Sequence, residues 1–415
     1  MGGWVGRPRA LRLRALLPLA CLAGCMSETP SNNAPDAGSQ IFTAAYGSES
    51  DAPRRLFISG HSLTNRPFPD YLAAIAAASG KPLDWDMQYL EGSSLRMRTQ
   101  GSGSEPWQGY AAGRDRNDKP ADALRQLASG HGANPYDTLI LTEVHTLLES
   151  LIWNNTIDNA LDYEARFSAL NPAGQTYLYA SWLDVDDLGD PHRWIAYERA
   201  ATRAWQCTAL QMNQALADKA MARRVRLIPA AEGLAAMVEQ AVSADGLRGV
   251  SAASKTETMK RIFTDTVHLT DMGNYYVALL SFIALYGELP NTPWVGKMEP
   301  TTAKALQDFA RQFMTGWKQQ QTRVPINCAQ HLADDFAGTY LAYVRDAKWR
   351  DEGVMRAYYK WARFSFQWPR LLRSDSDENP FRNNVESHDD IEGRIVRSEN
   401  PECHEPGCGA SFDRP

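Results

Sequence analysis

At 415 residues the chain has room for one large domain or two to three ordinary ones, and its 44% apolar and 22% charged residues allow a sizeable core, which excludes wholesale disorder. Beyond the N-terminal stretch no apolar run reaches the roughly 18–20 residues that span a bilayer, so a polytopic membrane protein is excluded. A net charge of −6 without a basic block argues against nucleic-acid binding through phosphate neutralisation.

The first element in chain order is an address rather than a fold. Arg7, Arg9, Arg12 and Arg14 precede an apolar stretch from Ala15 to Gly24, the pattern of a secretory signal. The stretch ends Leu22-Ala23-Gly24-Cys25, which resembles the lipobox of bacterial lipoproteins. The resemblance implies that residues 1–24 are removed and that Cys25 carries the lipid. An ordinary cleaved signal with a coincidental cysteine is the other reading. Met26 in place of Asp then implies sorting to the outer membrane, facing the periplasm or the cell surface. Loss of four arginines and no acid leaves 39 basic against 49 acidic residues, a balance of −10. Acyl chains anchor such a protein because each buried methylene contributes about 0.8 kcal/mol. Residues 25–53, rich in Ser, Asn, Pro, Ala, Gly and Asp without an apolar period, read as a flexible tether.

From Arg54 strand and helix patterns alternate. Strands are expected at 56–59, 83–90, 137–142, 175–182 and 225–229, with helices at 71–79, 121–128, 158–170, 192–221, 230–243, 271–287 and 301–317. The continuous apolar run in 137–142 reads as a strand buried on both faces. Alternation predicts an α/β chain in three layers, α/β/α, around a central parallel sheet of about five strands. In such sheets ligands bind at the carboxyl ends of strands, which directs attention to the residues after Ser59, Leu90, Thr142, Trp182 and Pro229.

Gly60-His61-Ser62-Leu63-Thr64 follows the first strand, and Asp265-Thr266-Val267-His268 precedes the helix at 271–287. An acid three residues before a histidine is expected about once by chance in this composition, and only His268 has one. Together the two segments suggest a nucleophile at one end of the domain, with its base and orienting acid at the other. In this pattern Phe57-Ile58-Ser59-Gly60-His61-Ser62-Leu63-Thr64 resembles the first block of the SGNH, or GDSL-type, hydrolases, with His61 where Asp or Asn is usual. Glu91-Gly92-Ser93-Ser94 is similar to the glycine block, and Asp265-Thr266-Val267-His268-Leu269-Thr270 with Gly273 is similar to the last. The resemblance covers residues 54–318. It implies a flavodoxin-like sandwich in which Ser62 is the nucleophile, His268 the base and Asp265 its partner. The N–H groups of Ser62 and Gly92 would form the oxyanion hole, and no metal or organic cofactor is needed.

That chemistry suits the residues. A serine hydroxyl is a poor nucleophile until a base takes its proton, and an imidazole does so near neutral pH. A carboxylate fixes the tautomer and stabilises the imidazolium, and backbone donors hold the developing oxyanion. A residue without Cβ at position 92 lets the backbone approach the acyl group. One block departs: where the family carries Gly-x-Asn-Asp after the third strand, this chain has Thr142-Glu143-Val144-His145, with Val144 at or near the Asn. Either Thr142 or His145 supplies the third donor, or the hole has two. His61, Glu143 and Trp182 are candidates to line the substrate.

Plainer readings stand beside these. Ser62 also suits the N-cap of a strand-to-helix turn, Asp265 and His268 a capping pair, Gly92 a simple turn and Trp182 a core position. Glu143 and His145 also suit a polar strand end. Thr64 stands where an α/β-hydrolase elbow needs Gly. Asp184, Asp186, Asp187 and Asp190 do not fit an EF-hand loop and read as solvated. Cys403-His404-x-x-x-Cys408 matches no haem or zinc pattern. With Cys21 removed and Cys25 lipidated, four cysteines allow three pairings, of which Cys207–Cys328 with Cys403–Cys408 is favoured. Residues 319–415 form an extension. Its aromatic-rich part, 332–372, reads as two helices on the main domain or as a carbohydrate-contact surface, and the chain from Ser374 reads as irregular.

The reading that joins these features is an exported, lipid-anchored serine esterase acting on short-chain acyl esters, such as acetyl groups on a cell-envelope or imported polysaccharide. An O-acyltransferase with the same triad and a non-catalytic envelope binding protein that keeps the fold are the alternatives.

Overall fold

The computed structural model describes residues 40–41, 54–101, 109–130, 134–218, 224–291, 293–320 and 325–382. The expected signal, Cys25, most of the tether and the Cys403–Cys408 pair lie outside the described residues. In chain order the elements begin with β1 (Gln40–Ile41) and β2 (Arg54–Gly60), which runs through a 3-10 turn at Ser62–Thr64 into α1 (Phe68–Ala78). β3 (Leu83–Tyr89) is followed by α2 (Leu95–Thr99) and α3 (Ala123–Ser129), and β4 (Thr138–Leu141) by α4 (Leu147–Trp153) and α5 (Thr156–Leu170). β5 (Gln175–Tyr179) leads to α6 (His192–Asp218), and β6 (Arg226–Ile228) to α7 (Ala230–Val242), α8 (Lys255–Ile262), α9 (Asp271–Tyr286) and α10 (Pro300–Gln320). The extension holds β7 (Pro325–Ile326), α11 (Cys328–His331), α12 (Ala337–Ala347) and α13 (Val354–Leu372).

Five strands form one sheet in the order β3-β2-β4-β5-β6, every neighbouring pair parallel. Counted within the sheet the order is 2-1-3-4-5, the flavodoxin-like arrangement of an α/β/α sandwich, as the alternation of elements predicts. All four residues of β4 are buried, because helices cover both faces of the central strand. Strand order reverses between β2 and β4, whose register pairs Ser59 with Leu141. The carboxyl ends of these two strands therefore flank the topological switch point, where such sheets bind ligands.

α9 starts on Thr270, whose hydroxyl accepts the Gly273 N–H, and it is buried along nearly its whole length. A helix surrounded by α1, α7, α8 and α10 has no wet face to mark with polar residues, which is why its sequence is apolar all round. Three short helices escape periodicity. α2, α4 and α8 run eight residues or fewer, although Ser254 followed by Glu257 is a readable N-cap signal for α8. Gln40–Ile41, assigned to the tether by composition, pairs antiparallel with Pro325–Ile326. Two residues are too few to carry a strand period, so the pairing is a tertiary fact.

In its described residues the extension is mainly helical and packs on α6 and α4. Cys207 on α6 is bonded to Cys328 on α11, the pairing favoured from the sequence. Tyr197 of α6 stacks on Tyr343 of α12 at 4.3 Å between ring centroids, and Trp153 of α4 meets Phe364 and Trp368 of α13 edge-on. Tyr197, Tyr343, Phe364 and Trp368 are buried and pack as core, whereas Trp153 caps the cluster and is 44% exposed. Tyr358, Tyr359 and Phe366 of the same segment stay exposed.

Candidate active site

The switch point is built first by β2. A Cβ on Gly60 would stand 1.8 Å from Thr64 Oγ1, so only glycine allows the turn to fold back this tightly. His61 follows in extended conformation, and its ring is wholly buried. Nδ1 accepts the Leu63 N–H at 3.4 Å, which leaves Nε2 to donate to the Glu143 carbonyl at 3.0 Å. Burial foremost, then the charge of Arg98, hold His61 well below the ordinary 6.5, so it stays neutral. His61 thus braces β2 against the end of β4 and does not line an open pocket.

Ser62 is half-buried at the start of the 3-10 turn. Gly92 occupies an exposed turn after β3 with φ of +59°, a left-handed conformation that other residues adopt at a cost. Leu90 N–H donates to the Gly60 carbonyl at 3.1 Å, which ties that turn to the end of β2. Among the described residues no acceptor takes the N–H of Ser62 or of Gly92.

Asp265 and His268 form a pair. Oδ2 of Asp265 is 2.7 Å from His268 Nδ1, and Oδ1 accepts the N–H groups of Val267 and His268, each at 2.7 Å. Partial burial pushes this carboxyl up, but the two backbone donors and the imidazole outweigh it and hold the group below its usual range. In the neutral ring, an Nδ1 that donates to the carboxylate leaves the lone pair on Nε2. The side chains are 53% and 44% exposed, so the pair opens to solvent. The segment is a tight loop, closed by Thr264 N–H on the His268 carbonyl. It is fastened to the segment after β5 by Trp182 Nε1 on the Val267 carbonyl and Val185 N–H on the Thr266 carbonyl. His268 interacts electrostatically with both His61 and His145, so its loop lies on the same side of the sheet as the ends of β2 and β4.

The end of β4 separates the two candidates for a third donor. Thr142 is buried with its hydrogens spent: N–H on the Ser59 carbonyl, hydroxyl on the Tyr179 carbonyl at 2.9 Å. His145 differs. Its Nε2 lies 2.8 Å from Lys348 Nζ, while Nδ1 is buried without a partner among the described residues. Burial first, then the charges of Lys348 and His268, lower its pKa to about 3.

Glu143, a candidate substrate contact, is instead a buried brace. Its carboxylate accepts the N–H groups of Leu95 and Val144 and the Thr156 hydroxyl, at 3.0, 2.7 and 2.7 Å. Buried Arg98 stands near it and donates through Nη2 to the Thr142 carbonyl. Trp182 is likewise buried, and it holds the histidine loop rather than lining a pocket. The acidic loop is only partly solvated. Asp184 accepts from Lys348 at 2.9 Å, and Asp186 pairs with Arg193 and Tyr343. Composition showed the four acids but not the cations that face them, because Lys348 lies on a segment more than 160 residues away. Arg98 and Lys348 carried no motif and were legible only in three dimensions. Among the described residues no group of three or more His, Cys, Asp or Glu is arranged to hold a metal, and no helix is long and apolar enough to cross a membrane.

No family model matches the chain, and no curated protein does. Among solved structures, a DUF4886 family protein from Bacteroides uniformis ATCC 8492 is similar at 13% identity, with a TM-score of 0.43, over 64% of this chain and 96% of that one.

Proposed function

We propose that the chain is an exported, lipid-anchored serine esterase of the SGNH type that cleaves short-chain acyl esters through an acyl-Ser62 intermediate. The observation that carries this reading is the Asp265–His268 pair, with one carboxylate oxygen on Nδ1 and the other held by two backbone N–H groups. His268 Nε2 takes the hydroxyl proton as Ser62 Oγ attacks the acyl carbon. The carbonyl electrons move to oxygen, where the N–H groups of Ser62 and Gly92 receive the charge. Collapse breaks the bond to the alcohol, which leaves with the proton from His268. Water then repeats the sequence on the acyl-serine and releases the carboxylic acid.

The exposure of Asp265 and His268 favours water as the second acceptor over a sheltered transfer to a sugar hydroxyl. A fluorophosphonate probe tests the reading. It is expected to label Ser62, with Ser62→Ala and His268→Gln left unlabelled. Purified protein without turnover of p-nitrophenyl acetate, indistinguishable from Ser62→Ala, would refute it. Product analysis with and without an acceptor glycan separates hydrolysis from acyl transfer.

A further inference from the structure

We propose that Lys348, from the C-terminal extension, is a positioning residue of this site. It fixes His145 as the neutral tautomer with hydrogen on Nδ1, and that N–H is offered to the acyl oxygen as the third donor. The donor role rests on the esterase reading; the tautomer does not.

The chemistry of the contact dictates the tautomer. An ammonium has three donors and no acceptor, so at 2.8 Å from Lys348 Nζ the Nε2 atom of His145 must accept. A neutral imidazole that accepts at Nε2 carries its hydrogen on Nδ1. Asp184 Oδ2 is 3.5 Å from the same Nε2, too far to compete, and it takes a second ammonium hydrogen at 2.9 Å. The carboxylate therefore balances the charge of Lys348 and leaves His145 neutral.

The Nδ1 hydrogen then points at no acceptor among the described residues, although the atom is buried. An unpaired buried donor is costly, and such a cost is tolerated where a ligand group is to be met. The location fits. His145 follows β4 at the switch point, its ring lies edge-on 6.1 Å from that of His61, and His61 precedes Ser62. The asparagine of the GDSL-type pattern is missing from this stretch, and Thr142 has no hydrogen to spare. Nδ1 is shielded from water in the free protein, so the acyl oxygen reaches it through a small adjustment of the His145 side chain. The aromatic-rich extension thereby acquires a task beyond covering α6: it delivers an ammonium to the carboxyl edge of the sheet.

The test uses the full chain with 15N-labelled histidine. In the wild type the His145 signals are expected to report a neutral ring protonated at Nδ1. Lys348→Met should release that tautomer, lower kcat on p-nitrophenyl acetate about a hundredfold and leave KM nearly unchanged. Lys348→Arg, which restores a donor, should recover most of both. His145→Ala should match Lys348→Met in kcat, and the double variant should lose little more. A wild-type ring protonated at Nε2 overturns the proposal without any variant, so a misfolded Lys348→Met does not rescue it. A tautomer that Lys348→Met leaves unchanged overturns it too, as does a shifted tautomer with unaltered kcat. A wild type that fails to label at Ser62 while showing the Nδ1 tautomer removes the esterase reading and the donor role, and leaves the effect of Lys348 on His145 standing.

Discussion

The indole Nε1 of Trp182 donates to the main-chain carbonyl of Val267 at 2.8 Å, one residue before His268. Trp182 lies just beyond β5 and is buried. A core side chain thus fixes the height of the histidine loop over the sheet. Trp182→Phe keeps most of the volume and removes the donor. It should lower stability by about 1–3 kcal/mol and, on the proposed esterase reading, reduce kcat on p-nitrophenyl acetate while KM holds. Urea unfolding beside steady-state kinetics checks this; a loss of stability with unchanged kcat would show that the loop does not need the tether.

Gly60 offers a sharper test of the turn that carries Ser62. A methyl group there meets Thr64 Oγ1 at 1.8 Å and Thr64 Cβ at 3.1 Å. Gly60→Ala should cost about 1–3 kcal/mol, and Thr64→Ala should relieve part of that in the double variant. A double-mutant cycle by urea melts reads the coupling. Strict additivity would mean that the two side chains do not meet.

His145 should leave a mark on the pH dependence of stability. Burial, with Lys348 and His268 adding, lowers its pKa to about 3 against the ordinary 6.5. Below pH 6.5 the unfolded chain binds a proton that the folded chain refuses. The associated stability is therefore complete above about pH 6.5 and is lost as pH falls toward the folded value, by about 2 kcal/mol at pH 5. His61 acts in the same direction. Glu143 and Glu232, the latter raised to about 7 mainly by burial, act in the opposite one. The informative quantity is thus the difference between wild type and His145→Gln, followed by urea unfolding from pH 7.5 to 5. The variant should lose less stability than the wild type; parallel curves would show that His145 is not held neutral by the fold.

The Cys207–Cys328 bond spans a separation of 121 residues and pins the extension to α6. Replacing both cysteines by serine should lower stability by about 2–4 kcal/mol. Reductant should reproduce the loss in the wild type and do nothing further to the variant. If the extension delivers Lys348 to the site, the same variant should show a less uniform His145 tautomer.

The sequence by itself determined the layered class of the protein, because helix periods and short apolar strand runs are local patterns and every strand of the central sheet carries one. It also determined the triad candidates, since Ser62, Asp265 and His268 sit at the ends of legible elements. Their partners were not legible. Glu143 looked like a substrate contact until its oxygens were seen bonded to Leu95, Val144 and Thr156. Asp184 looked solvated until Lys348 was seen against it. Thr142 and His145 looked equally able to donate until the Tyr179 carbonyl claimed one hydroxyl and the Lys348 ammonium one ring nitrogen. In each case the deciding partner comes from another element, mostly far along the chain. A residue's type states which bonds it can make, whereas burial and the groups packed against it decide which of them it does make.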